Sequence, residues 1–267
     1  MEQVKQVGIL GCGWLGTKLA LKLSAQNWNV NVSSTSVEGM KALKEKGLNS
    51  FQLRLSENSL EGDLAFFDGL DQLVISIPPK RTETDPYSQK IRFLLKFLQS
   101  KINCRVIFLS STSVYGKKKG TYHEGSLLSP DTPSSLQLIQ SEKMILESSN
   151  PEVVIRLGGL VGPDRNPIFK LYHKLIPNPD GVLNFIHETD AVEGIVQLLT
   201  HNELEGVFNL VSPHHPKRKD YYLYMANKFL LPTPKFAFHD PPLERRIDGS
   251  KIENQTSFSY QVDNLLI

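Results

Sequence analysis

The sequence predicts an α/β protein: a doubly wound parallel sheet with a small C-terminal cap region. Three observations lead there. Strand-like apolar runs alternate with helix-like amphipathic segments through the first two thirds of the chain, the pattern of a parallel sheet covered on both faces. A glycine-rich turn joins the first strand to the first helix. Beyond about Gly162, prolines and aromatic residues become denser and the helices are interrupted by loops. With 267 residues, 40% hydrophobic and 22% charged, the chain has the composition of an ordinary globular protein of one large or two small domains. The expected division is residues 1–162 as the nucleotide-type domain, its sheet completed by later segments, and residues 163–267 as mostly substrate or cap region.

The elements follow in order. Residues 7–10 form the first strand, and Leu15, Leu19 and Leu23 place one stripe on the helix behind it. Residues 30–33 make a second strand, 37–46 a helix, and 51–55 a third strand. Residues 73–77 make a fourth strand, stopped by Pro78 and Pro79. Ile91, Leu94, Leu95 and Leu98 carry a long helix over 87–99, followed by a fifth strand at 106–109. A helix over 133–148 and a sixth strand at 153–157 complete the alternation. Helices near 190–199 and 220–230 belong to the last third. No flexible linker precedes them, so the cap is expected to pack on the sheet and wall a cleft.

The turn Gly11-Cys12-Gly13-Trp14-Leu15-Gly16 fits the G-x-G-x-x-G fingerprint between a strand and a helix, which makes the sheet Rossmann-type. Gly11 permits the turn, Gly13 lets a pyrophosphate approach, and Gly16 lets helix and strand pack closely. The free N–H groups of the first helical turn, at Trp14 and Leu15, then hold the anion. An NAD site usually places Asp or Glu after the second strand for the ribose 2′-hydroxyl. Here that place reads Ser33-Ser34-Thr35-Ser36, so Ser34 and Thr35 are expected to face the ribose, with NADP preferred over NAD. Against this, the turn contains no arginine, and Glu38 is close enough to serve a ribose. Ser76, Ile77 and Pro78, after the fourth strand, are expected to border the adenosine or ribose portion of the cofactor.

Bulk charge narrows the partners. Thirty basic and 28 acidic residues leave a net charge of +2, too little for a nucleic-acid surface, and Lys117-Lys118-Lys119 reads as a solvated loop. The two cysteines, Cys12 and Cys104, show no metal or disulfide spacing. No apolar run reaches the roughly 18 residues of a membrane span, and the N-terminus leads straight into the first strand. A cytoplasmic location is expected.

After the fifth strand comes Ser110-Ser111-Thr112-Ser113-Val114-Tyr115-Gly116. With the glycine turn, this block resembles the extended, epimerase/dehydratase-like side of the short-chain dehydrogenase/reductase superfamily. Arg156 to Pro163 resembles its sixth-strand motif, Asn184 to Ala191 its "IHVxDxA" segment, and Gly206 to Leu210 its late strand. The closest resemblance is to atypical members of YeeZ type. It implies that Ser111 polarises a substrate carbonyl. A Tyr-x-x-x-Lys pair on the next helix would normally exchange the proton, since an ordinary phenol near pKa 10 is a poor base. Counted from Pro133, those places hold Gln137 and Ser141, so the pair is missing; a slipped register offers Lys143, but with Ile139 in place of the tyrosine. Tyr115 to Lys119 and Tyr224 to Lys228 match the spacing elsewhere. Tyr115 is the catalytic alternative, although a cleft wall is its plainer role. His187 and Asp190 read as loop and cap residues, His123-Glu124 as a cleft border, and His214-His215 as a surface turn rather than a metal site.

The leading reading is an NAD(P)-binding oxidoreductase or epimerase-like enzyme for a small carbonyl, hydroxyl or sugar-like compound. The alternative is a non-catalytic NADP(H)-binding sensor or scaffold. The opening Gly8 to Gly16 also resembles hydroxyacid dehydrogenases, but the proline-rich last third lacks their long helices. The helices over 87–99 and 133–148 are candidates for pairing two copies as a homodimer, as the superfamily often does.

Overall fold

The computed structural model describes residues 5–80, 86–102, 104–148, 152–238 and 244–266. Strand β1 (Gln6–Leu10) feeds α1 (Trp14–Ala25), and β2 (Asn29–Ser34) feeds α2 (Val37–Glu45). Strands β3 (Asn49–Leu55), β4 (Leu60–Gly62) and β5 (Gln72–Ile75) follow, then α3 (Tyr87–Lys101) and β6 (Arg105–Ser111). After the short β7 (Gly120–Tyr122) come α4 (Pro133–Leu146), β8 (Val153–Leu157) and β9 (Gly159–Val161). The last third holds α5 (Ile168–Leu171), β10 (Leu175–Pro177), β11 (Phe185–His187), α6 (Glu188–Thr200) and β12 (Gly206–Leu210). It ends with α7 (Arg218–Lys228), β13 (Lys235–Ala237), β14 (Arg245–Ile247) and α8 (Lys251–Gln255).

The main sheet runs β12-β8-β6-β5-β1-β2-β3-β4, parallel throughout except for the β3/β4 hairpin. The order reverses between β1 and β5, where a crevice opens beyond the strand ends in sheets of this type. Apolar residues of β1, β2, β6, β8 and β12 bury one face under α1 and α6, for example Ile9, Val32, Ile107, Ile155 and Phe208 against Leu19, Leu23, Ile195 and Leu199. The other face takes Leu73, Ile75, Phe108 and Val154 beneath Ile91 and Leu94 of α3 and Leu138 and Ile145 of α4. Because β-strand side chains alternate, the strands buried on both faces read as nearly continuous apolar runs.

One sequence expectation shifts. The fourth long strand stops at Ile75, and Ser76 only donates its N–H to Leu10 O at 2.9 Å before the prolines take over. The late segment 206–210 joins the main sheet as its edge strand β12, paired to β8 from Gly206↔Val153 to Leu210↔Leu157. The remaining strands form three two-stranded parallel pairs, β10/β13, β11/β9 and β14/β7, the last two joining a C-terminal strand to one from before residue 162. Around them lies a separate small core of Val161, Ile168, Leu183, Tyr221, Met225 and Leu265. No helix among the described residues is long and apolar enough to cross a membrane.

Candidate nucleotide site and catalytic cleft

The glycine turn is held from the second strand. Ser33, 2% exposed, accepts the Gly11 N–H on its hydroxyl at 2.9 Å and the Cys12 N–H on its carbonyl at 2.8 Å. Gly11 has φ +85°, and a Cβ there would meet the Ile77 Cγ2 at 2.3 Å, so this position needs glycine twice over. At Gly13, the N-cap of α1, a Cβ would meet nothing within 4 Å. The space above the helix start is therefore open, and the first-turn N–H groups of α1 have no intrahelical acceptors. This is the shape and polarity a pyrophosphate requires. At Gly16 a Cβ would lie 3.3 Å from Ile9 Cγ2, a close helix–strand approach. Leu15 is buried, so only its backbone can face a ligand. The Cys12 thiol, half-buried and 3.7 Å from Thr17 Oγ1, is pushed up to about 11 by burial and stays an unreactive thiol.

From the turn a cavity of about 760 Å³ runs across the ends of β2 and β3. Gly11, Ser33, Thr35, Ile77 and Pro78 line it, together with Arg54, Lys80, Lys90 and Glu57. Ser34 is turned the other way: its hydroxyl accepts the Ser36 N–H at 3.4 Å and lies against Gly39 in the α2 N-terminus. Ser36 caps that helix through the Gly39 N–H at 3.0 Å. Neither Ser34 nor Ser76 is among the residues lining this cavity.

Ser111 ends β6, half-buried, and its hydroxyl accepts the Ser113 N–H at 3.2 Å, which leaves the O–H proton for another partner. The tyrosine and lysine places hold structural residues. Gln137 Oε1 accepts the Ser88 N–H at 2.7 Å and so caps the start of α3, while the buried Ser141 hydroxyl donates to Gln137 O at 2.8 Å. Lys143 stands on the outer side, paired to Glu147 at 3.8 Å.

Tyr115 stands in the core rather than on the cleft wall. It is 0% exposed, its hydroxyl donates to Asn209 Oδ1 at 2.9 Å and accepts from the Arg156 guanidinium at 2.8 Å, and burial pushes its pKa upward against the pull of Arg156. Arg156 in turn holds Glu142 of α4 at 2.7 Å, and Ser110 donates to the same carboxylate. Glu124 accepts the Asn209 N–H at 2.8 Å. Ser110, Arg156 and Asn209 are consecutive partners across β6, β8 and β12, so this polar row lies on one face of the sheet. Its members tie α4, the 112–115 turn and the 123–125 loop to the strand ends.

The weaker candidates resolve into packing. His187 caps α6 through the Thr189 N–H, and the buried Asp190 accepts N–H groups from Gln261 and Val262. His123 braces Gly125, and His214 accepts the Leu265 N–H at 2.9 Å. Among the described residues no cluster of three or more His, Cys, Asp or Glu could hold a metal. Tyr224 is exposed on α7.

No known family's sequence model matches the chain. The protein YeeZ of Escherichia coli K12 is 35% identical over 271 residues, covering 99% of this chain and 98% of that one. This chain belongs to the YeeZ family. An uncharacterised UDP-glucose epimerase of Bacillus subtilis, YtcB, is 28% identical over 179 residues, covering 57% of this chain and 56% of its own length. UDP-glucuronic acid 4-epimerase of Bacillus cereus, solved in complex with NAD, superposes with a TM-score of 0.79 at 18% identity over 98% of this chain and 94% of that one. The fold is thus that of the NAD-dependent epimerases and dehydratases.

Two contacts of this YeeZ-family chain were not visible in the sequence. Ser33, not Ser34, bonds the glycine turn; the signal for it is only strand alternation, which points Ser33 and Ser34 to opposite sides. Trp14 reaches out of the turn to a distant loop. Its indole Nε1 donates to Asp164 at 3.0 Å, with Lys18 at 5.1 Å and Arg165 at 4.9 Å from the ring centroid. Lys18 continues to Glu188 at 3.1 Å. A separation of 150 residues hides that contact from any local pattern.

Proposed function

We propose that this YeeZ-family chain is an NADP(H)-dependent oxidoreductase or epimerase-like enzyme for a small carbonyl or hydroxyl compound of sugar-like polarity. Thr35 and Arg54, on the wall of the cavity beside the turn, carry the cofactor reading. A 2′-phosphate adds negative charge where Thr35 can donate a hydrogen bond and Arg54 attracts, whereas a carboxylate on β2 would repel it. Gly13 leaves room for the pyrophosphate, and the N–H groups of Trp14 and Leu15 hold it. The nicotinamide supplies a hydride donor or acceptor when the cofactor is bound. Ser111 holds the substrate oxygen through its O–H, at the end of the strand that the superfamily resemblance assigns to this role. Copies pair through α3 and α4, a reading tested by sedimentation.

Titration with NADPH and NADH decides the preference. Wild type should bind NADPH at least about tenfold more tightly, and Arg54→Ala should reduce that ratio several-fold while leaving NADH unchanged, since one partly screened charge is worth about 1 kcal/mol. Equal affinities in wild type would reject NADP. Turnover should fall at least about a hundredfold in Ser111→Ala.

A second reading has its own observation. Gln137 is committed to the start of α3 and Ser141 to a bond within α4, so the usual proton-exchanging pair has no replacement at its own place. A chain of this kind could hold NADP(H) as a sensor. It would then distinguish the oxidised from the reduced cofactor by affinity, show no turnover, and be unaffected by Ser111→Ala.

A further inference from the structure

Beyond the nucleotide cavity, a second and smaller one of about 230 Å³ lies between the 161–166 segment and α7. Its walls are mostly apolar, with Val161, Pro163, Met225, Phe229 and Leu265, and His187 and Lys228 also border it. Two of its polar groups, Asn166 and Tyr221, are bonded to each other. Asn166 Nδ2 donates to the Tyr221 hydroxyl at 2.8 Å, and Asn166 Oδ1 accepts the Ile168 N–H at 3.0 Å. Water needs two to four polar partners to be held in such a place, and apolar cavities of roughly 150 Å³ stay dry and take up a benzene ring. One side of the small cap core therefore carries a half-open, largely apolar hollow that its own side chains do not fill.

The wall of this cavity is also the loop that Trp14 grips. Gly162, Pro163 and Asn166 line the cavity, while Asp164 and Arg165 between them bond and stack on the Trp14 indole. Lys18, one turn further along α1, reaches both Asp164 at 3.8 Å and Glu188 at 3.1 Å. Trp14 thus offers its backbone N–H to the nucleotide turn and its side chain to the wall of the cavity.

We propose that this cavity is a second binding site, for a compact apolar group such as a single aromatic ring or a branched alkyl chain. We further propose that its occupancy is coupled to the nucleotide turn through the Trp14–Asp164 contact. The cavity assignment stands on its own lining; the coupling rests on the cofactor reading above. Ligand and cofactor both order the 161–166 wall, so each raises the affinity of the other by the same factor.

The test uses benzene as probe and the full chain, by titration calorimetry with and without saturating NADP⁺. The expected result is saturable one-to-one binding of benzene, strengthened about fivefold or more by NADP⁺. Val161→Phe and, from the opposite wall, Leu265→Phe should each abolish the benzene heat while thermal unfolding remains cooperative; Leu265→Phe serves if Val161→Phe fails to fold. Asp164→Ala, on an exposed side chain, should keep benzene and NADP⁺ binding but bring the coupling factor to about one. Absence of benzene binding to folded wild type, or its persistence in folded filling variants, overturns the cavity assignment whatever NADP⁺ does. Benzene binding with no NADP⁺ binding upholds the cavity, overturns the coupling and removes the cofactor reading. Both ligands binding independently in wild type overturns the coupling alone.

Discussion

Gly13→Asp should act with opposite sign on stability and on cofactor binding. Gly13 is the N-cap of α1, with φ −86°, and a Cβ at this position meets nothing within 4 Å. An aspartate side chain there enters open space. As an N-cap it gains a few tenths of a kcal/mol over glycine, and its charge at the positive helix end adds about 0.3–1 kcal/mol. The apo protein should therefore melt roughly 1–4 °C higher. The same carboxylate sits where the pyrophosphate would rest. Two unit charges about 5 Å apart at an effective dielectric near 20 repel by roughly 3 kcal/mol, more than a hundredfold in affinity. Gly13→Asn supplies the same cap and bulk without the charge, so it separates steric from electrostatic loss. The assay is thermal unfolding with and without NADPH, backed by calorimetry. At a hundred times Kd, wild type should gain about 2.7 kcal/mol of apparent stability from the ligand, and the aspartate variant essentially none at that concentration. If the aspartate variant binds NADPH within about threefold of wild type, the pyrophosphate does not lie at this helix start and the reasoning fails.

Gly11→Ala should do the reverse, losing stability first. With φ +85° and an Ile77 methyl 2.3 Å from the new Cβ, it should cost about 1–3 kcal/mol, read by urea unfolding of the apo protein. Glu142→Gln leaves the buried Arg156 charge without its partner and should cost roughly 3–5 kcal/mol. Combining it with Arg156→Met should recover part of that loss, and strict additivity in a double-mutant cycle would show that the two do not interact. His215 tests pH. Burial holds its imidazole below the ordinary value, with Leu183 O accepting from its ring and Arg246 and His214 near it. The unfolded chain then takes up a proton that the folded chain refuses. Stability from this group is complete above about pH 6.5 and is lost as pH falls through that value toward the folded one. His215→Gln should flatten the unfolding free energy between pH 7.5 and pH 5 relative to wild type; an unchanged slope would place the acid sensitivity elsewhere.

The parts of the site that were legible in the sequence are those in which local backbone geometry does the work. A turn that needs glycine at φ +85° and an open helix start announces itself within six residues, and the turn and its flanking elements stand where the periodicity put them. Tyr115 was not legible in the same way, because its surroundings come from four separate segments. Its neighbours, Arg156, Asn209 and Glu124, are 41, 94 and 9 positions away and meet only through the parallel register of β6, β8 and β12. A Tyr-Gly pair after a strand end looks the same whether the ring faces a cleft or a guanidinium. The register also bears on the absent tyrosine–lysine pair. Helix α4 is joined to the sheet by Glu142 on Arg156 and to α3 by Gln137 on Ser88. Both contacts fix the helix with residues at or next to the places where the superfamily keeps its proton-exchanging groups. Restoring Gln137→Tyr with Ser141→Lys would therefore disturb packing before it restored chemistry: the first substitution uncaps α3, and the second forces an ammonium into a position now held by a fully buried hydroxyl. The double variant should lose stability without gaining turnover, and a gain of carbonyl reduction in a stably folded double variant would show that α4 still presents these positions to the cleft.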